Sequence, residues 1–134
     1  MLKGISPVIS PELLKALAEM GHGDELVIAD GNFPCHSVGK NSIVIRADGH
    51  GVPEILDAVL NLIPLDTYTE KPVALMEVVK GDTCGTPEIW GTYEEILTKY
   101  EPSQKRRISF LSRYPPIITS KTSPTRGVKY TKKL

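Results

Sequence analysis

The stretch that decides the fold is Leu26-Val27-Ile28-Ala29, which the turn pair Asp30-Gly31 follows. Four consecutive apolar residues predict a short strand that is covered on both faces, as in a parallel sheet. The pattern recurs in Ser42-Ile43-Val44-Ile45-Arg46-Ala47, which Asp48-Gly49 closes. Residues 73–79 form a third, mainly apolar run. The sequence therefore predicts several buried strands.

Helices are predicted between these strands. Ser10-Pro11 offers a capping hydroxyl and a proline at the first helical position, and apolar residues at helical spacing continue to Met20. Pro53 opens a second helix, which Pro64 stops, and Thr86-Pro87 opens a third. Because strands and helices alternate, the sequence predicts the α/β class.

The charge of the chain is distributed unevenly. The 134 residues have a formal net charge of zero, yet residues 1–100 hold 7 of the 16 basic and 15 of the 16 acidic residues. Residues 101–134 hold the other 9 basic residues and only Glu101. The sequence therefore predicts an acidic α/β body over residues 1–100 and a basic segment over residues 101–134, both within one domain.

Several classes of protein are disfavoured by composition. No apolar run approaches the ~20 residues of a membrane-spanning helix, so no membrane span is expected. The N-terminal residues lack the long apolar core of a secretory signal, which predicts a cytoplasmic protein. Cys35 and Cys84 are not in a CxxC pair, and their spacing to the histidines resembles no zinc site. No metal is therefore expected.

Two positions stand out as candidate site residues. His22 lies between Gly21 and Gly23, where the first helix gives way to a strand, so a ligand has easy access to its ring. A histidine there is more often a solvated residue that interacts favourably with the helix C-terminus. Asp30 ends a strand, where open α/β sheets bind ligands, but Asp-Gly is also a common turn pair. Both interpretations of each residue stay open on the residues alone.

A family resemblance is carried by five motifs in a fixed order. They are Ser10-Pro11-Glu12-Leu13-Leu14, Met20-Gly21-His22-Gly23-Asp24-Glu25, Ala29-Asp30 with Asn32-Phe33-Pro34, Ile45-Arg46-Ala47-Asp48-Gly49, and Pro64-Leu65-Asp66-Thr67-Tyr68. In order and spacing these motifs resemble the ribose pyranase and fucose mutarotase family, and most closely its animal fucose mutarotases. The resemblance covers roughly residues 1–100.

The resemblance implies a fold, an activity and an assembly. The fold is ribose pyranase-like, a three-layer α/β/α arrangement with a mainly parallel sheet. The activity is the interconversion of the α and β anomers of L-fucose without a cofactor, in ring-shaped homo-oligomers such as decamers. His22 corresponds to the family's proton donor and Asp30 to its substrate-binding aspartate. Asp66 corresponds to a further substrate contact in animal members, although a turn role explains it equally well.

The basic segment departs from the family pattern. The family's catalytic tyrosine position corresponds to Leu111, which cannot transfer protons. Its Tyr-Gly-Asn signature has a weak counterpart in Lys129-Tyr130-Thr131-Lys132, where Tyr130 is the expected sugar contact. Pro115-Pro116 interrupts a region where strands are expected. An alternative exon or a shifted reading frame is a hypothesis that would account for such a change.

Competing functions follow from this departure. One is an active L-fucose mutarotase, and another is a non-catalytic relative, a splice or frameshift product that retains only sugar binding or subunit assembly. Nucleic-acid binding by Lys105-Arg106-Arg107 is disfavoured because so short a cluster is more often a solvated tail. Trp90, Tyr93 and Tyr100 are predicted to be core residues rather than a sugar-stacking surface.

Overall fold

The computed structural model describes residues 2–21, 24–78, 80–82, 85–103, 108–111 and 117–119. In chain order its elements are α1 (Pro11–Glu19), β1 (Glu25–Val27), α2 (Cys35–Val38), α3 (Val52–Leu60), β2 (Val73–Met76), α4 (Ile89–Tyr100), β3 (Ile108–Leu111) and β4 (Ile117–Thr119). The mixture of helices and strands confirms the α/β class. Among the described helices, none has the length and apolar character needed to cross a membrane.

Local signals place the helix starts. Ser10 caps α1, since its hydroxyl accepts a hydrogen bond from the Leu13 amide at 3.2 Å. In α3 a proline occupies the first turn after the Gly51 cap. The predicted starts of α1 and α3 are thus confirmed, and α4 begins two residues after Pro87.

The four strands form one sheet in the order β1-β4-β2-β3. Strand β4 runs antiparallel to both β1 and β2, and β3 runs parallel to β2. Ile118 in the middle of β4 is paired with Leu26 on one side and with Val73 on the other. The basic segment therefore contributes two strands, and β4 joins β1 to the rest of the sheet.

The prediction of a mainly parallel sheet is wrong for the described ladders, since two are antiparallel and one is parallel. Helix α4 forms the crossover that makes β2 and β3 parallel. Strand β4 then follows β3 closely, on the other side of β2, and runs in the opposite direction. An apolar run indicates that both faces of a strand are covered, but it carries no information on strand direction.

Residues 42–47, predicted to be a strand, are not assigned to one. The segment has no ladder partner among the described strands, and Ile43 is 45% exposed. An apolar, β-branched run favours extended backbone, but a strand also requires a neighbour with which to exchange hydrogen bonds.

One apolar core joins the helices to the sheet. It contains Leu13 and Leu17 of α1, Leu26 of β1, Val59 of α3 and Leu97 of α4, all at most 5% exposed. Val27 on the other face of β1 is also buried, at 2% exposure. Both faces of β1 are therefore covered, as its continuous apolar run predicted.

A surface ion pair adds to the packing of α3 against α4. The Lys99 ammonium donates a hydrogen bond to Asp57 Oδ1 at 2.7 Å. This hydrogen bond lowers the pKa of the Asp57 carboxyl, and the same contact raises the pKa of Lys99. The pair thus links two helices whose apolar residues meet in the core.

Candidate functional site

A cleft of about 350 Å³ opens where the chain leaves β1. One wall is the loop between β1 and α2, another is β2, and the third is the start of α4. The residues that line it are Ile28, Ala29, Asp30, Asn32, Phe33, Pro34, Val52, Leu56, Val73, Ala74, Leu75, Met76, Ile89, Trp90 and Tyr93. A volume of this size lies at the lower end of the range for small-molecule sites.

Asp30 supplies the carboxylate of this cleft. It is exposed, and its Oδ1 accepts a hydrogen bond from the backbone amide of Asn32 at 2.7 Å. That bond is the turn interaction expected for Asp before Gly, so the turn role is present. Because Asp30 also lines the cleft, the turn fixes a carboxylate at the edge of a cavity of about 350 Å³.

Tyr93 of α4 adds a phenol hydroxyl to the polar groups of the cleft. Burial raises the pKa of its phenol, and the charge of Asp30 raises it further. Tyr93 and Asp30 line the same cleft. The phenol therefore stays protonated at neutral pH and is available as a hydrogen-bond donor.

The three aromatic residues of α4 have different surroundings. Tyr100 packs against the core as predicted, and Tyr93 packs against the core and also lines the cleft. Trp90 lines the cleft and is not part of the core cluster, so the core prediction is wrong for Trp90. Helical spacing alone could not separate these environments, because all three fall on neighbouring faces of one helix.

Asp66 has a different setting from Asp30. It is 2% exposed, its Oδ1 accepts from the Tyr68 amide at 2.8 Å, and its Oδ2 accepts from the Thr69 hydroxyl at 2.7 Å. These contacts make it the organising residue of a turn, as the turn interpretation predicts. Asp66 is not among the residues that line the Asp30 cleft.

Arg46, near the end of the second apolar run, forms an exposed ion pair with Asp48, which follows that run. The Arg46 guanidinium donates two hydrogen bonds to the Asp48 carboxylate, at 2.8 and 3.0 Å. The pair raises the pKa of Arg46. Neither residue lines the cleft, and their contacts are those of a solvated surface pair.

The other predicted site residues fall beyond what the structure describes. His22 and Tyr130 lie outside the described residues, and at Leu111 only the backbone, within β3, is described. In the described ranges no group of three or more potential metal-ligating side chains is brought together. Of the two predicted site residues that the structure describes with their side chains, Asp30 lines the cleft and Asp66 does not.

Sequence reasoning missed several residues of the cleft. Asn32 and Phe33 lie in a motif that carries the family resemblance, and Met76 lies in the third predicted strand, but none of them was predicted to line the cleft. Their signal was position, since residues after β1 and at the end of β2 lie where α/β sheets bind ligands. Nothing in the apolar pattern distinguishes Met76 from a core residue.

The comparisons with known proteins agree with this architecture. The sequence profile of the RbsD / FucU transport protein family matches residues 3–116, a range that includes β3. The human fucose mutarotase is 54% identical over 102 residues, which cover 73% of this chain and 66% of the relative. The L-fucose mutarotase of Actinobacillus pleuropneumoniae is 47% identical over 128 residues, which cover 89% of this chain and 87% of the relative.

A solved structure extends the likeness to three dimensions. The fucose mutarotase of Streptococcus pneumoniae in complex with L-fucose has a TM-score of 0.79 and 37% identity, and the match covers 98% of this chain and 88% of the other. An α/β fold with a ligand-sized cleft at the end of β1 defines a small-molecule-binding domain. The chain belongs to the RbsD / FucU transport protein family, which confirms the resemblance seen in the sequence.

Proposed function

We propose that this chain is an L-fucose mutarotase that interconverts the α and β anomers of the free sugar. The observation that carries the proposal is the Asp30 carboxylate, which a turn holds in a cleft of about 350 Å³. The similarity to fucose mutarotases and to a structure with L-fucose bound supports the choice of sugar.

The reaction requires only the movement of protons. A proton is delivered to the ring oxygen as the C1–O5 bond breaks, and a proton leaves the anomeric hydroxyl to give the open-chain aldehyde. The aldehyde then rotates about the C1–C2 bond and presents its other face. The same steps in reverse close the ring and give the other anomer. No electron or group is transferred, so the proposal includes no cofactor.

His22 is the proposed proton donor, and Asp30, Asp66 and Tyr130 are the proposed sugar contacts. An imidazole titrates near neutrality, with an ordinary pKa of ~6.5, and a positioned acid-base group typically gives ~10²–10⁴-fold acceleration. A carboxylate accepts charge-assisted hydrogen bonds from sugar hydroxyls. The cleft position of Asp30 supports its role, while the roles of the other three rest on the family motifs.

The proposal also covers the assembly and the layout of the chain. We propose a three-layer α/β/α subunit, because buried residues lie on both faces of β1. We also propose that residues 101–134 belong to the same domain, because β3 and β4 pair into its sheet. We further propose a ring-shaped homo-oligomer such as a decamer. Light scattering on the purified protein tests the ring, which requires a mass of several times the 14.7 kDa chain.

A cytoplasmic location is part of the proposal. Cys35 is a free, buried thiol, and unpaired cysteines are common in reducing compartments. Fractionation of cells that express the full chain tests this location.

Saturation-transfer NMR on L-fucose tests the activity. The purified protein should exchange the two anomeric signals faster than buffer does, and His22→Ala should remove most of that acceleration while the oligomer mass stays the same. His50→Ala is the matched control, since His50 contacts Glu54 at 3.1 Å and does not line the cleft. A well-folded protein that exchanges the anomers no faster than buffer contradicts the proposal.

A further inference from the structure

The cleft has an apolar wall that the proton chemistry does not use. Met76 and Ile89 are 50% and 43% exposed, and both line the cleft together with Trp90. Large apolar side chains exposed inside a concave site raise the free energy of the empty protein, because water remains against them. Such a surface is expected where a ligand brings an apolar group of its own.

The polar groups of the cleft lie close to this wall. Asp30 and Tyr93 line the same cleft, and Ile89 lies one helical turn before Tyr93 on α4. A ligand in the cleft therefore meets hydrogen-bonding groups and an apolar surface within the span of a few atoms. A sugar with hydroxyls at some carbons and a methyl group at another matches both.

We propose that Met76, Ile89 and Trp90 receive the methyl group of the 6-deoxy sugar and so make this site selective against sugars with a hydroxyl at C6. The inference rests on the proposed function and adds that these three side chains contact the C6 position of the sugar. A C6 hydroxyl placed against these three side chains loses its hydrogen bonds to water without gaining others, whereas a methyl group gains from the same burial.

Three sugars that differ only at this position provide the test. D-arabinose in its pyranose form carries hydrogen where L-fucose carries the methyl group, and L-galactose carries a hydroxymethyl group. We expect the wild-type protein to prefer L-fucose to D-arabinose by about tenfold in exchange efficiency, the usual effect of one methyl-sized group in an apolar pocket. L-galactose should also be disfavoured relative to L-fucose.

Variants of the wall should change the ratios between these sugars. Ile89→Ala should lower the preference for L-fucose over D-arabinose at least about threefold, because the lost contact involves only the methyl group. Met76→Gln keeps the length of the side chain and adds hydrogen-bonding groups. It should therefore raise the exchange efficiency with L-galactose relative to that with L-fucose. Ile43→Ala removes an isoleucine that is 45% exposed outside the cleft and should leave both ratios unchanged.

Saturation-transfer difference NMR measures the contact independently of turnover. The methyl protons of L-fucose should receive the strongest saturation from the wild-type protein, and Ile89→Ala should reduce it relative to the ring protons. The inference is overturned if the wall variants lose exchange efficiency equally with all three sugars and the saturation of the methyl protons does not change. The mutarotase function still stands in that case. If the protein accelerates anomer exchange with none of the three sugars, the proposed function is contradicted. The saturation of the L-fucose methyl protons, and its reduction in Ile89→Ala, then tests the inference without turnover.

Discussion

Asp30 combines a turn contact with a position in the cleft. Its Oδ1 holds the Asn32 amide, while the residue lines the cleft beside Tyr93. The turn therefore orients the carboxylate before any ligand arrives, which reduces the entropy that binding would otherwise cost. The turn role of Asp30 is thus observed, while its role as a sugar contact stays a prediction.

Replacing Asp30 with asparagine separates these two roles. Asn retains an oxygen that can accept from the Asn32 amide, so the turn and the melting temperature should be preserved. The charge is lost, and hydrogen bonds to charged groups contribute about 1.5–3 kcal/mol, so the affinity for L-fucose should fall about 10- to 100-fold. Calorimetric titration measures the change, and an unaltered affinity would remove Asp30 from the sugar contacts.

The same substitution has a spectroscopic consequence at Tyr93. The pKa of Tyr93 is raised above 10.0 by burial first and by the charge of Asp30 second. In Asp30→Asn this pKa should fall toward its ordinary value and still remain above it. Because the raised pKa favours the neutral phenol in the folded state, stability should decline as the pH rises above 10.0. Ultraviolet titration against Tyr93→Phe isolates this tyrosine among the 5.

At the scale of elements, α1 depends on a single capping contact. Ser10→Ala removes the hydroxyl that accepts from the Leu13 amide and should lower the free energy of unfolding by about 1 kcal/mol. Ser10→Asn keeps a capping oxygen and should be close to the wild type. Urea unfolding measures both, and equal destabilisation by the two variants would show that the cap is not the cause.

The ion pair between α3 and α4 predicts a pH dependence. Hydrogen bonding to Lys99 lowers the pKa of Asp57 below its ordinary 3.8, so the stabilisation is present above pH 3.8 and is lost as the pH falls through the folded-state pKa. Asp57→Asn should therefore be slightly less stable than the wild type at pH 7, and the difference should vanish well below pH 3.8. Salt should also reduce it, since both side chains are largely exposed. A difference that persists in acid would point to packing instead.

The elements also show what the sequence could and could not predict. Helix starts were predictable because Ser10-Pro11 and Pro53 carry their signals within a few residues. Strand pairing was not, because the apolar runs at residues 26–29 and 42–47 look alike, yet only the first gained a partner. For the site, Asp30 was predictable from its position after a strand, whereas the role of Trp90 depended on which face of α4 the core left open.

For the whole molecule, β3 and β4 make the basic segment part of the sheet. A chain ending at Glu101 lacks both strands, which leaves β1 without its partner and β2 without either neighbour. We expect this truncation to abolish cooperative unfolding, because a sheet of separated strands cannot bury its apolar residues. Circular dichroism during thermal unfolding measures the loss.

A shorter truncation is the matched control. A chain ending at Thr119 retains all four described strands and removes Tyr130. It should unfold cooperatively but bind L-fucose more weakly, since Tyr130 is a proposed sugar contact. If the chain ending at Glu101 unfolds as cooperatively as this control, then β3 and β4 do not support the fold.

The position of β4 has a consequence for how the chain is made. Strand β1 is synthesised early, but its ladder partner Ile118 follows Leu26 about 90 residues later. At about 5–20 residues per second, translation leaves β1 unpaired for roughly 5–20 s. Until then the backbone N–H and C=O groups of β1 lack their ladder partner, and an unpaired strand edge is prone to pair with other chains. The yield of folded protein in a cell should thus depend on how well the unpaired edge of β1 is protected until β4 has been synthesised.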